Sequence, residues 1–224
     1  MLKIKFVLFY LTISISYGFP PIKLDDVDTF IISKYLGDTS YVKTLLDDDF
    51  KYYHTPYIGL GVKSNYVDGS LLVTRVINDS IRAYLNVGDR IYEHNGKIID
   101  SLGLSTNGAV GEIQKLVIVK KGDSLFNEIM IPIAENQYID DKTTFLESII
   151  RYNDVWYDFD LDIKDIIIKK NKIVVYYKWE GSKIEMGDVY SFSAIEIYTL
   201  NKKRNRILKI EGIWSEKQFR DQFN

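Results

Sequence analysis

The feature that most constrains the fold of this chain is a change of pattern at Pro56. Just before it, Phe50, Tyr52 and His54 alternate with polar residues, which predicts one face of a strand. After it, residues 57–133 contain short apolar runs separated by Gly-Asp and Asn-Gly turns, the pattern of a compact β unit. A chain of 224 residues can hold two domains in tandem or one domain inserted into another.

The first residues have the pattern of an export signal. Two lysines precede an apolar run from Phe6 to Ile15, and small residues follow up to Gly18. This order predicts a signal peptide over residues 1–18, because the run is too short to span a membrane comfortably. We expect an exported protein, periplasmic or secreted. An uncleaved segment is the alternative, and it would be the chain's only attachment to a membrane.

Composition excludes several function classes. The net charge is -2, so no basic surface argues for a nucleic-acid partner. The chain has no cysteine and two histidines, which leaves no thiolate site and little material for a metal site. Adjacent carboxylates cannot all converge on one ion, so Asp47, Asp48 and Asp49 indicate a solvated helix end. We expect neither a metal nor a cofactor.

Residues 57–136 resemble a PDZ domain of the kind attached to bacterial proteases. The matching segments are "GLGV", "LLVTRV", "AYLNVGDRI" and "NGKIID". The resemblance implies a peptide groove in which loop amides bind a terminal carboxylate and the peptide adds a strand. The implied peptide-binding residues are Ile58, Gly59, Leu60, Gly61 and Val62. A scaffold that only packs is the alternative, because residues 101–113, where the family has a helix, contain three glycines.

The rest of the chain resembles the nuclear-transport-factor-2-like fold, and in particular its SnoaL-like polyketide cyclase branch. Two helices are predicted before residue 47, a third follows residue 140, and long strands follow that helix. The resemblance rests on "KYYHTP", "YKWEG" and the strands ending near Trp214. It implies an α+β cone, with helices on a curved antiparallel sheet. The predicted cone comprises residues 22–56 and 137–224, and residues 57–136 are inserted into it.

The SnoaL-like resemblance also implies an apolar cavity with a positioned acid and base. The residues predicted to line this cavity are Phe50, Tyr52, His54, Tyr177 and Trp179. His54 is the candidate catalytic base. Glu196 and Glu211 are acids on nearby strands whose facing the sequence leaves open, and Ile195 and Ile197 are expected to face the helices.

These patterns lead us to expect an exported, non-enzymatic binding protein. Its PDZ-like insert would bind a peptide or protein partner, and the cone would serve as a scaffold or a small-ligand pocket. One alternative is a SnoaL-like isomerase or cyclase that acts on a small apolar molecule with His54 as base. Another is a structural component of an envelope assembly. The sequence does not predict the oligomeric state.

Overall fold

A computed structural model describes residues 20–101, 103–104, 106, 108–215, 219 and 221–223 of the chain. The predicted signal peptide over residues 1–18 lies outside these described residues, so export stays a prediction. Within the described ranges, no helix has the length and apolar character needed to cross a membrane.

Three helices are described, α1 (Leu24–Leu36), α2 (Thr39–Leu45) and α3 (Lys142–Asn153). Gly37 ends α1 in the left-handed conformation at φ 74°, which costs glycine no steric strain. Asp38 caps α2 by accepting the Tyr41 amide hydrogen at 3.1 Å. Asp141 does the same for α3 with the amide of Thr144 at 2.9 Å. These three helix boundaries thus follow from local capping chemistry.

The strands fall into a large sheet, an inserted sheet and a short ribbon. The large sheet contains β1 (Leu46–Tyr53), β10 (Ile139–Asp141), β11 (Asp158–Lys169), β12 (Lys172–Ser182), β13 (Val189–Leu200) and β14 (Ile207–Trp214). The inserted sheet contains β3 (Val62–Val67), β4 (Ser70–Val76), β5 (Arg90–His94), β6 (Lys97–Ile98), β7 (Ile113–Val119) and β8 (Phe126–Pro132). The ribbon pairs β2 (Tyr57–Gly59) with β9 (Ala134–Asn136).

The large sheet has the order β10-β1-β14-β13-β12-β11 and carries α1, α2 and α3 on one face. Helices on one face of a sheet give the α+β class that the sequence predicts. Two details differ from the prediction. The sheet is mixed, because β1 runs parallel to β14. The run Asp47–Asp49 lies in β1, whose first residue follows α2 directly, and not at a helix end.

The core of this unit, here called the cone, lies between the helices and the sheet. Phe30, Ile31 and Val42 from the helices are fully buried in one cluster with Val175 and Tyr177 from β12. The expectation that Ile195 and Ile197 of β13 face the helices was wrong, because the alternate residues of that strand do so. Ile195 is exposed on the outer face, whereas Glu196 faces the helices and is 2% exposed.

The inserted sheet has its own aliphatic core, formed by residues such as Leu71, Ile91 and Leu116. Its chain leaves and re-enters the cone at one place, because Tyr57 pairs with Asn136 in the ribbon. Next to the ribbon, the His54 amide donates to the Tyr138 carbonyl oxygen at 3.0 Å. The end of β1 and the beginning of β10 are therefore held side by side.

Candidate active site

A pocket of about 220 Å³ opens inside the cone, between the helices and the sheet. Its wall is largely aromatic and aliphatic, with Phe145 and Ile149 from α3 and Phe192 from β13. Polar side chains also line it, among them Lys34, Tyr52, His54, Tyr152 and Glu196. An apolar pocket with a few convergent polar groups is the usual form of a small-molecule site.

A histidine and an aspartate form a pair at the edge of this pocket. The distance between His54 Nε2 and Asp140 Oδ2 is 2.7 Å. The Asp140 side chain is 3% exposed and that of His54 is 39% exposed, so the imidazole is reachable while its partner is enclosed. When Nε2 carries the proton that it donates to Asp140, Nδ1 is left as an acceptor. The pair can therefore take a proton from a bound molecule.

A second polar cluster lies deeper, around the Glu196 carboxylate. Lys34 Nζ, from α1, donates to Glu196 Oε1 at 2.6 Å. Tyr198 Oη donates to Oε2 at 2.5 Å, and Tyr52 Oη donates to Oε1 at a longer 3.4 Å. Both members of the ion pair are buried, with side chains 9% and 3% exposed. Such a pair needs its hydrogen bonds to offset the cost of removing two charges from water.

Gly212 explains how Tyr52 reaches this carboxylate. On β14, Gly212 is the Cα partner of Glu196. A β-carbon added at Gly212 would lie 2.5 Å from Tyr52 Oη. The missing side chain thus gives the phenol a path across the strand toward Glu196. A glycine inside a strand often marks such a close approach.

The tyrosines around the pocket stay protonated. Burial, and next the charge of Glu196, raises the pKa values of Tyr52 and Tyr177 well above the usual value for a phenol. The same two causes raise the pKa values of Tyr35 and Tyr198. Each phenol is therefore a neutral hydrogen-bond donor at physiological pH.

Tyr152 is a donor without a partner. Burial raises its pKa, and within the described part of the chain its buried hydroxyl has no hydrogen-bond partner. The side chain lines the pocket. Because an unpaired buried hydroxyl is costly, an oxygen atom of a bound molecule would be stabilised there.

The structure separates the residues predicted to line the cavity into two groups. Tyr52, His54 and Tyr177 line the pocket. Phe50 and Trp179 are 1% and 0% exposed and belong to the packed core, so their prediction as cavity wall is wrong. Those two side chains share the inner face of the sheet with the pocket residues, but the neighbouring rings fill the space around them.

Glu211 and His94 lie away from the pocket. Glu211 forms a half-exposed ion pair with Lys209 at 2.9 Å. His94 lies in the inserted sheet and its Nε2 is 2.7 Å from Gln114 Oε1. Of the two histidines in the chain, only His54 therefore faces the cone pocket.

Two functional candidates were missed in the sequence. Lys34 follows Ser33 in α1, and nothing in the neighbouring sequence marks it as buried. Asp140 was seen only as the place where the cone resumes. In the structure, the antiparallel pairing of β1 with β10 makes Asp140 the Cα partner of Tyr52, and no sequence pattern signalled this pairing.

Four of the five predicted peptide-binding residues line a wide cleft beside the inserted sheet: Ile58, Gly59, Leu60 and Val62. Among the described residues between 99 and 112, none is helical, so the second wall of a groove is lacking there. Ile58 and Gly59 are paired with β9, and Leu60 is 4% exposed. A β-carbon at Gly61 would lie 2.5 Å from Asn136 Oδ1, so this loop packs on its own unit. Val62 begins β3, which pairs with β4.

Clusters of three or more side chains suited to hold a metal ion are lacking in the described ranges. The groups that the cone pocket offers to a ligand are a carboxylate, an ammonium, an imidazole and several phenols.

Comparison with known proteins gives weak likenesses. No family model matches the chain, and no curated protein matches it. The solved structure of wild-type IdmH, a putative polyketide cyclase from Streptomyces antibioticus, is 10% identical, with a TM-score of 0.45 over 89% of this chain and 96% of that one. AusH from Aspergillus nidulans is 10% identical, with a TM-score of 0.44 over 88% and 87%.

A third similar structure is described as an NTF2-like protein of unknown function from Burkholderia pseudomallei, with 10% identity, a TM-score of 0.38, and coverage of 86% and 93%. The prediction of a non-enzymatic peptide-binding protein is wrong, because the convergent polar groups, the His54–Asp140 pair and the Glu196 cluster, lie at the cone pocket and not at the "GLGV" loop. The helix-covered α+β sheet itself is shown by the strand order and the core.

Proposed function

We propose that this chain is an isomerase or cyclase that moves a proton on a small, largely apolar carbonyl compound bound in the cone pocket. The observation that carries the proposal is the His54–Asp140 pair at the edge of an apolar pocket that also holds the unpartnered phenol of Tyr152. The pocket volume of about 220 Å³ is below the roughly 300–1,000 Å³ of most drug-sized sites, which favours a molecule of one or two rings.

The proposed reaction uses one base and one oxyanion donor. His54 Nδ1 removes a proton from the carbon next to the carbonyl group, and Asp140 stabilises the imidazolium that results. The electron pair moves onto the carbonyl oxygen, which accepts a hydrogen bond from Tyr152. Because the Tyr152 phenol is neutral and buried, it can stabilise an enolate without losing its proton.

The enolate then has two fates. In an isomerisation, the imidazolium returns the proton to a different carbon of the same molecule. In a cyclisation, the enolate carbon attacks a second carbonyl group of the substrate, whose oxygen takes the proton. Both outcomes leave His54 neutral and ready for another turnover.

The test is the conversion of 3-cyclohexenone to its conjugated isomer, followed by ultraviolet absorbance. We expect catalysis by the unchanged chain and a loss of about 10²–10⁴-fold in His54→Gln. His94→Gln is the matched control, because it removes the other histidine, and it should keep full activity. Equal rates for His54→Gln and the unchanged chain would refute the role of His54.

We further infer that residues 22–56 and 137–224 form one domain and that residues 57–136 form an inserted, PDZ-like one. The Tyr57–Asn136 pairing and the separate aliphatic core support this division. Replacing residues 57–136 by a short Gly-Ser linker should leave a cone that unfolds cooperatively on heating. A truncated chain without a cooperative transition would contradict the division.

A further inference from the structure

The cone pocket opens into a second, larger space. A cleft of about 1530 Å³ runs between the cone and the inserted sheet. His54 and Trp214 line both the pocket and the cleft. A ligand that extends out of the pocket therefore passes His54 and meets a wall supplied by the inserted sheet.

Two cationic side chains of that sheet converge beside His54. Lys63 on β3 and Arg75 on β4 are cross-strand partners. Lys63 Nζ lies 3.5 Å from the centroid of the Tyr138 ring, and Arg75 Cζ lies 4.4 Å from it. The same ring lies 4.9 Å from the His54 ring, centroid to centroid. Tyr138 thus joins the two cations to the imidazole.

The two cations lack an acidic partner. Within the described part of the chain, no carboxylate lies within ion-pair distance of Lys63 or Arg75. Two lysines elsewhere in the inserted unit do have acidic partners: Lys115 lies 2.7 Å from Glu128, and Lys120 lies 3.0 Å from Asp89. Arg75 instead donates to the Tyr138 hydroxyl and, at 3.5 Å, to the Ile139 carbonyl oxygen, so neither cation of this pair is neutralised by a direct ion pair.

The electrostatics agree with a surplus of positive charge. Burial lowers the pKa of the Lys63 ammonium, the charge of Asp140 opposes this, and the charges of Arg75 and Arg151 lower the pKa further. An anion bound next to Lys63 would relieve the repulsion between these cations. Charge-assisted hydrogen bonds to a carboxylate or phosphate are among the stronger polar contacts in proteins.

We propose that Lys63 and Arg75 form an anion-binding subsite at the mouth of the cone pocket, and that the substrate is an amphipathic acid. Its apolar ring occupies the cone pocket and its carboxylate or phosphate group lies beside Lys63. This inference rests on the proposed function and gives the inserted sheet a role in it, the selection of anionic substrates.

The test compares matched probes by calorimetric titration of the full chain. The probes are 3-phenylpropanoate, its neutral analogue 3-phenylpropanamide, and 2-phenylethyl phosphate. We expect the carboxylate or the phosphate to bind about tenfold or more tightly than the amide. Whichever anion binds more tightly identifies the substrate's acidic group. In the variant K63Q/R75Q the affinity for the anions should fall to that for the amide, while the amide affinity stays unchanged.

Two control variants keep this test interpretable. Lys115→Gln removes a cation of the same sheet elsewhere and should keep the preference, and K63R should keep it because it retains the charge. Equal affinity of the unchanged chain for amide and acid, or no binding of either, overturns the anion subsite. So does a preference that survives in K63Q/R75Q. An active enzyme that shows any of these results would refute the subsite and leave the proposed function standing.

Discussion

Asp89 in the inserted sheet and Glu196 in the cone are both buried carboxylates, and they differ in their hydrogen-bond donors. In the inserted sheet, Asp89 accepts the amide hydrogens of Asn86 and Lys121, both at 2.9 Å, and pairs with Lys120 at 3.0 Å. These donors come from its own turn and the neighbouring one. In the cone, Glu196 is held by a lysine of α1 and by tyrosines of two strands.

The difference separates an acid that holds two turns together from an acid that lines a pocket. Backbone amides fix Asp89 within an aliphatic unit, where the carboxylate ties two turns together. Glu196 is held by side chains that also line a pocket, so its hydrogen bonds position groups that a ligand can reach. A buried acid by itself therefore does not mark a site. The kind of donor and the presence of space beside it do.

The largest effect should follow the loss of the Glu196 carboxylate. Glu196→Ala leaves the Lys34 ammonium buried without its partner, which costs about 3–5 kcal/mol of unfolding free energy. Chemical denaturation measures this cost. The double variant K34M/E196L removes both charges and should recover most of the stability. The matched control is Glu211→Gln on the neighbouring strand, whose half-exposed ion pair should contribute about 0–1 kcal/mol. Equal effects of Glu196→Ala and Glu211→Gln would show that Glu196 is not held as described.

A smaller and pH-dependent effect should follow Asp89→Asn. Burial pushes the Asp89 pKa upward, but the amides of Lys121 and Asn86 and the Lys120 ammonium outweigh it, and the net pKa is lowered. A lowered pKa stabilises the folded chain above the unfolded-state pKa of about 3.9, and this contribution disappears as the pH falls through the folded-state value. Unfolding curves should therefore separate the two chains by about 1–3 kcal/mol at pH 7 and converge below about pH 4. A separation that persists at acid pH would contradict this account.

These two sites show how far the sequence could predict the molecule. Local signals predicted the helix caps at Asp38 and the turn that contains Asp89, because capping and turn chemistry act over a few residues. Strand parity correctly grouped Tyr52 with His54. On β13 the same reasoning assigned the two isoleucines that flank Glu196 to the inner face, and this assignment was wrong. Apolar side chains normally face the core, and here the acid does so because Lys34 and the phenols compensate it.

The partners of the candidate site were beyond prediction for a different reason. Asp140 is 86 residues from His54 in sequence, and Lys34 is 162 residues from Glu196. Such contacts form only when the helices and strands of the cone pack together. No pattern of neighbouring residues records them.

The smallest effect tests the contact that lets Tyr52 reach Glu196. In Gly212→Ala the new methyl group would press on the Tyr52 hydroxyl, and overpacking of this kind costs about 1–3 kcal/mol. The variant Tyr52→Phe lacks the clashing oxygen. Adding it to Gly212→Ala should recover part of the lost stability, so a double-mutant cycle should give a favourable coupling. Purely additive effects would mean that Gly212 and Tyr52 do not meet.

The most direct test of the central claim, that the cone and not the inserted unit carries the chemistry, is an NMR titration with 2-naphthol. Its hydroxyl resembles an enolate, and enzymes bind mimics of such intermediates more tightly than substrates. The account predicts that signals of Tyr52, His54 and Tyr152 shift as one saturable event, while those of Ile91 and Leu116 stay in place. Saturable shifts confined to Ile58–Val62, with an unaffected cone, would contradict it.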